Sequence, residues 1–255
     1  MLPARNEATT IGPIVSAICQ DLVEDIGLVD DIVVIDDGST DHTGCRAKAA
    51  GATVLRAQDV LAAVAGPGPG KGQALWRGTY AACGEILVYL DADIRGFRSH
   101  FVVGLLGPLL EDGGQFQFVK ACYRRPMADG IGRGGRVTEL VARPLLARYF
   151  PELSAFAQPL AGEFAGTRQL LESVPFARGY GVDLALLIDV ARAVTPARIA
   201  QVDLGERIHR NRPLEALVPQ AAAVLDVALR RAGGAPRAAN HDHAEPELAR
   251  LDSLR

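Results

Sequence analysis

Two short apolar runs that end in carboxylates constrain this chain more than any other feature. One is Asp31-Ile32-Val33-Val34-Ile35 followed by Asp36-Asp37; the other is Glu85-Ile86-Leu87-Val88-Tyr89-Leu90 followed by Asp91-Ala92-Asp93. Both read as buried strands, and a second helical pattern (71–82) follows the one near 41–50 and the short strand 52–55 that lie between them. Strands alternating with helices imply a mostly parallel sheet flanked by helices on both faces. Such α/β sheets bind ligands at the carboxyl ends of their strands, which is where both acidic clusters fall. Gly66-Pro67-Gly68-Pro69-Gly70 reads as a loop, because neither residue type suits the interior of an element.

Aspartates are poor strand formers, so chemistry is one reason for Asp91 and Asp93 to stand where they do. Side chains at i and i+2 leave a strand on the same face and can converge on one hard cation. The plain alternative is a strand-to-turn junction in which they cap the next segment. Spacing alone leaves both readings open.

The chain has 255 residues and a formal charge of −3, with half its residues apolar. That is ample for a core and gives no basic surface for bulk nucleic-acid binding. No apolar stretch is long enough to span a bilayer, and no signal-peptide pattern precedes the first motif. Cys19, Cys45, Cys83 and Cys122 lie far apart without metal-ligand spacing, as expected of reduced thiols in a cytoplasmic protein.

In the second half, residues 115–123 read as a strand and 136–149 as a helix interrupted near Pro144. Residues 181–194 form a strongly apolar helix carrying Asp183 and Asp189. A strand at 199–204 and a helix ending near Arg231 follow, and the polar stretch 233–255 is expected to be a disordered tail. His241 and His243 lie in that tail, where a metal site is not expected.

Four motifs occur in a telling order: Pro3-Ala4-Arg5-Asn6-Glu7, then Asp36-Asp37-Gly38-Ser39-Thr40-Asp41, then Gly70-Lys71-Gly72, then Asp91-Ala92-Asp93. Taken singly they are helix starts and glycine turns, with Asn6 a candidate cap. In this order the chain resembles the nucleotide-sugar half of the GT-A glycosyltransferases. Later strings narrow the resemblance: Gly134-Gly135-Arg136-Val137-Thr138-Glu139, Gln158-Pro159-Leu160, Gly179-Tyr180-Gly181 and His209-Arg210-Asn211-Arg212-Pro213 look like those of the glucosyl-3-phosphoglycerate synthases. The likeness runs from about residue 2 to 232, and mannosyl-3-phosphoglycerate synthases share the motifs.

The resemblance implies a GT-A, Rossmann-like fold with a nucleotide-sugar half at 1–112 and an acceptor-binding lobe at 113–232. It implies retaining transfer of glucose from UDP-glucose to 3-phosphoglycerate, aided by Mg²⁺ or Mn²⁺, in a cytoplasmic homodimer. By matching motif, Pro3, Ala4, Arg5 and Glu7 border the uracil and ribose, and Asp37 sits at the nucleotide base where the family usually carries serine. Lys71, Asp91 and Ala92 belong to the diphosphate region, and Asp93 with His209 to the metal. Asp183 stands at a family glutamate that contacts the donor sugar. Gly135, Arg136, Thr138 and Asn211 hold the acceptor, with Tyr180 and the catalytic Arg207 nearby. The alternatives are a mannosyl-3-phosphoglycerate synthase or another small-acid glycosyltransferase, or a truncated protein that binds nucleotide sugar without turnover.

The chemistry agrees. A cation on Asp93 and His209 neutralises charge developing on a nucleoside diphosphate leaving group. Arg136 offers a planar fork for phosphate and Thr138 a hydroxyl donor, although most arginines are simply solvated. An inverting enzyme would need a carboxylate base. Glu163, Asp183 and Glu139 qualify by residue type, but spacing does not bring any of them to an acceptor hydroxyl. The family carries an apolar strand just before Pro-Ala-x-Asn-Glu, whereas this chain reads Met1-Leu2-Pro3. A truncated first strand, with lower stability and activity than an extended form, is therefore expected.

Overall fold

The computed structural model describes residues 1–66, 68, 70–111, 113–127, 130–132, 135–207, 213–234 and 247–254. The first strand, β1 (Leu2–Ala4), is short, as expected. It pairs in parallel with β2 (Val33–Asp36), which pairs in parallel with β3 (Thr53–Arg56). Leu2 and Ala4 are buried, as are Val33, Val34 and Ile35, so both faces of this sheet are covered and the uninterrupted apolar run of β2 is explained.

A second sheet holds β4 (Ile86–Tyr89), β5 (Phe118–Met127), β6 (Gly130–Gly132), β7 (Phe164–Thr167) and β8 (Ile199–Glu206). β7 lies between β4 and β5 and is antiparallel to both, whereas β8 is parallel to β5. Met1 joins the two sheets: its ammonium donates to the Val88 carbonyl (2.8 Å) and its carbonyl accepts from Leu90 N–H (3.1 Å). That alternation is a parallel ladder one residue long. It brings the carboxyl ends of β1, β2 and β4 to one edge. Burial pushes the Met1 amine down to about 5, and a cleft of about 620 Å³ opens beside it, lined by Leu2, Ile32, Val33, Ile86 and Val88 among others.

Helices cover the sheets. Lys71–Ala81 buries Leu75, Trp76 and Thr79, and its second residue, Gly72, abuts the Ala177 carbonyl so closely that a Cβ would overlap it. Val182–Val194 is buried from Val182 to Ile188 and forms the centre of the larger core with Trp76, Tyr89, Phe118 and Phe164. The expected interruption near Pro144 is present: Thr138–Ala142 is wound as a π-helix, and the helix Arg143–Tyr149 restarts with proline in its first turn.

Two expectations are corrected. Asn6 does not cap the first helix; Ile11–Ile18 is preceded by Thr10, and Asn6 adopts a left-handed conformation (φ 59°). The expected tail is ordered where it ends: Leu248 pairs with Phe176, the Trp76 indole donates to the Ala249 carbonyl (2.7 Å), and Leu251 is fully buried. Two leucines in a polar stretch suffice, because the Trp76–Phe176 surface would otherwise be exposed. Arg231 reinforces this return by pairing with both Asp189 and Glu247 (2.5 and 2.8 Å). Residues 235–246, with His241 and His243, lie outside the described residues.

Candidate active site

The first two motifs are built into one another. Asn6 Oδ1 accepts from Thr40 N–H (2.8 Å), Asn6 N–H donates to Ser39 Oγ (3.0 Å), and Glu7 N–H donates to Thr43 Oγ1 (2.8 Å). The left-handed backbone at Asn6 makes this possible, and asparagine tolerates it better than most residues. Asp36 Oδ1 accepts from Ser39 N–H (2.8 Å), closing the turn through Gly38 (φ 78°). Asp37 is buried; its amide donates to the Ala4 carbonyl (2.9 Å) and its carboxylate accepts from Gly70 N–H (2.8 Å). Burial pushes its carboxyl up, opposed by that amide and by Arg5 and Arg77. Pro3, Ala4, Arg5, Glu7 and Asp37 therefore share one end of the sheet with the Gly70-Lys71 helix start.

Ion pairs link the next residues. Lys71 Nζ lies 2.9 Å from both Asp91 and Asp183. Arg207 Nη2 lies 3.0 Å from Asp91 and 2.9 Å from Asp93, while its Nη1 lies 3.1 Å from Glu163 and donates to the Tyr123 hydroxyl (2.8 Å). The guanidinium also stacks over the Tyr123 ring at 5.2 Å. Lys120, fully buried on β5, donates to the Asp183 carbonyl (3.3 Å). Three cations thus face four carboxylates: Lys71, Lys120 and Arg207 against Asp91, Asp93, Glu163 and Asp183.

Burial dominates the electrostatics and the partners decide the outcome. It works to raise the Asp91 carboxyl, but Lys71 and Arg207 overcome it and hold that group well below the usual carboxylate range. It would lower the Lys71 ammonium, yet Asp183 and Asp91 raise it above its ordinary value. It pushes Asp183 up against the pull of Lys71 and Lys120, and pushes Glu163 up to about 7 against Arg207. It brings Lys120 down to about 8. These are the opposed shifts of a site in which titratable groups are packed for a task.

Asp91 and Asp93 stand in the turn just beyond β4 rather than in the strand itself, yet their side chains converge, since both reach the same nitrogen of Arg207 within 3.0 Å. A single divalent ion could reach both. Asp93 is 36% exposed, open to solvent and to an incoming phosphate. Among the described residues no group of three acidic, histidine or cysteine side chains gathers as a ligand set. Two carboxylates completed by phosphate and water still suit Mg²⁺ or Mn²⁺. His209 and Asn211 lie outside the described residues.

The acceptor candidates gather elsewhere. Gly135 and exposed Arg136 lead into the π-helix, whose Thr138 is buried. Tyr180 is 45% exposed in the turn Gly179–Gly181, one turn before Asp183. Both segments pack on the helix Val218–Arg231, where a Cβ at Gly181 would crowd the Ala223 carbonyl.

Three participants escape a reading of the sequence. Gly162 leaves no room for a side chain, because a Cβ there would overlap the Asp91 carboxylate. Lys120 looks like any strand lysine, and Tyr123 is hidden in an arginine-rich string. Glu163 is eligible by residue type as a base, but it is fully buried behind Arg207.

Comparison with known proteins agrees with this arrangement. Residues 1–98 match the model of glycosyl transferase family 2. The fold and the site therefore define a GT-A glycosyltransferase. Glucosyl-3-phosphoglycerate synthase of Mycolicibacterium smegmatis is 49% identical over 237 residues, 91% of this chain and 77% of the relative. That of Petrotoga mobilis is 46% identical over 233 residues, covering 90% and 71%. The crystal structure of glucosyl-3-phosphoglycerate synthase from Mycobacterium tuberculosis in complex with Mn²⁺, UDP-glucose and phosphoglyceric acid superposes with a TM-score of 0.87 at 44% identity, covering 100% of this chain and 89% of that one. This chain belongs to the glucosyl-3-phosphoglycerate synthase family.

Proposed function

We propose that this chain transfers glucose from UDP-glucose to 3-phosphoglycerate with retention, releasing UDP and glucosyl-3-phosphoglycerate with the help of Mg²⁺ or Mn²⁺. The observation that carries this is the pair of cations, Lys71 and Arg207, bracketing Asp91 and Asp93 at the carboxyl end of β4 in a chain so similar to enzymes of that name. Pro3, Ala4, Arg5, Glu7 and Asp37 line the nucleotide end. Lys71 and Ala92 face the diphosphate, and Asp183, whose Oδ1 is buried and has no hydrogen-bond partner among the described residues, stands at the donor sugar. When bound, the divalent cation on Asp93 and His209 supplies a positive charge against the leaving diphosphate. Arg207 and Lys71 add fixed positive charge there, so little reorganisation is needed as the glycosidic bond breaks.

For the acceptor, Arg136 grips the phosphate, Thr138 and the Gly135 amide donate to it, and Asn211 and Tyr180 complete the pocket. Retention is supported by the state of the carboxylates. Glu163 is buried behind Arg207, Glu139 is paired on the surface with Arg143, and Asp183 is bound to Lys71. Each is engaged in an ion pair, which fits the retaining course implied by the family resemblance, in which the leaving phosphate takes the acceptor proton on the same face.

No helix among the described residues is long and apolar enough to cross a membrane. The cytoplasmic setting is proposed from the free thiols of the four cysteines. A homodimer follows from the family resemblance and is checked by light scattering. The deciding experiment assays UDP-glucose, GDP-glucose and GDP-mannose against 3-phosphoglycerate and related acids, with and without metal. UDP-glucose with 3-phosphoglycerate should be the preferred pair; equal turnover in chelator would remove the metal from the mechanism.

A further inference from the structure

Glu163 touches no part of the site that a substrate could reach, yet it is the carboxylate that closes the back of it. It precedes β7, is wholly buried, and is fixed by its own backbone, whose carbonyl accepts from Ala121 N–H on β5 (3.0 Å). Its partner Arg207 is only 4% exposed and reaches in two directions. Nη1 serves Glu163 and the Tyr123 hydroxyl; Nη2 serves Asp91 and Asp93. The cation-binding face and the buried face of the site therefore pull on opposite ends of one guanidinium.

That arrangement has an energetic consequence. With no divalent ion bound, Arg207 is the counter-cation of Asp93 and shares Asp91 with Lys71. An ion that takes Asp93 competes with Nη2 for the charge of that carboxylate, whether it displaces the hydrogen bond to Oδ1 or binds beside it, and a buried guanidinium cannot carry its charge without a partner. Glu163 and Tyr123 supply that partner from behind. Resting on the metal-dependent reading above, we propose that Glu163 is a positioning residue that retains Arg207 when Asp93 passes to the divalent ion, and so sets how readily the ion competes for the aspartate pair. Without the Glu163 charge, Arg207 is balanced by Asp91 and Asp93 alone and holds them more tightly.

The test reads metal binding in the absence of turnover. Mn²⁺ affinity is measured by electron paramagnetic resonance at pH 8 with saturating UDP and no acceptor. Glu163→Gln keeps the shape and should weaken Mn²⁺ binding about tenfold, whereas Tyr123→Phe, which removes one hydroxyl from the same nitrogen, should weaken it about threefold. The double variant Glu163→Gln/Arg207→Met removes both buried charges and should recover most of the lost affinity, an outcome that simple damage to the site does not produce. If Glu163→Gln does not fold, the Tyr123→Phe result and the double variant decide. Unchanged Mn²⁺ affinity in the single variants, or a double variant that binds more weakly than they do, overturns the proposal while leaving the functional reading intact. Wild-type protein that binds no Mn²⁺ overturns both.

Discussion

Lys71 and Asp183, 112 residues apart in sequence, meet at 2.9 Å and tie the first turn of one buried helix to the first turn of another. Lys71 reaches Asp91 at the same distance, so one ammonium holds the end of β4 against both helices. In the function proposed above, structure and chemistry share this group: the charge that neutralises the carboxylates at rest is the one that would be offered to the diphosphate.

Replacing Lys71 therefore has two effects. Lys71→Met takes from buried Asp183 the cation bound directly to its carboxylate and leaves it Lys120 alone, while Asp91 keeps Arg207. The variant should be about 3 kcal/mol less stable in urea titrations, the lower end for breaking a buried pair. Its kcat/KM should fall by at least about 100-fold, as for loss of one preorganised charge. Wild-type UDP-glucose affinity by calorimetry would remove Lys71 from the donor site.

Gly162 is held small by Asp91. A methyl group there would overlap the carboxylate, so Gly162→Ala must push Asp91 away from Lys71 and Arg207. We expect a loss of about 1–3 kcal/mol from overpacking, with kcat lowered more than the stability loss explains. Gly107→Ala is the control. Its site in the helix His100–Leu110 has open space, but Pro108 follows it and opposes helical backbone in a residue with a Cβ, so stability should stay within about 1 kcal/mol of wild type, with no effect on activity.

Arg136 is exposed just before the π-helical segment Thr138–Ala142. Arg136→Ala should raise the KM for 3-phosphoglycerate about tenfold or more and leave UDP affinity nearly unchanged, because a charge-assisted bidentate contact contributes roughly 1.5–3 kcal/mol. An equal loss of UDP binding in calorimetry would assign the arginine to the donor instead.

The parts of this fold that were legible in the sequence are local ones. The strand ends at Asp36 and Asp91, the glycine turn at Gly38 and the break before Pro144 each follow from residue types within a few positions. β7 escaped because four residues containing Gly166 carry little pattern, and their place between β4 and β5 depends on pairings with Leu87 and Phe118 far away in the chain. The ion pair of Arg207 with Glu163 spans 44 residues and obeys no spacing rule. Leu251 looked like part of a polar tail because its partners are on the other side of the core. Local patterning singled out Asp91 and Asp93, and the family resemblance added Lys71, Asp183 and Arg207, which the structure brings to the same cluster.

Lys120 makes the last prediction, and it concerns pH. The ammonium is fully buried on β5, has the Asp183 carbonyl as acceptor, and sits 5.6 Å from the centre of the Phe164 ring. Burial lowers its pKa from 10.5 to about 8, despite the opposing pull of Asp183. A shift of that size disfavours the charged form by about 3 kcal/mol. Between these two pKa values the unfolded chain binds more protons than the folded one, so wild-type stability rises with pH through that window. Below it both states are protonated and the cost is fully present. Lys120→Met fills nearly the same volume without the charge, though Asp183 loses one of its two cations. The variant should be about 1–2 kcal/mol more stable than wild type at pH 7, with the gain shrinking as the pH approaches 10.5. Urea denaturation across that range checks it, and a variant less stable than wild type at pH 7 would show that the Lys120 charge is needed to hold Asp183 in place.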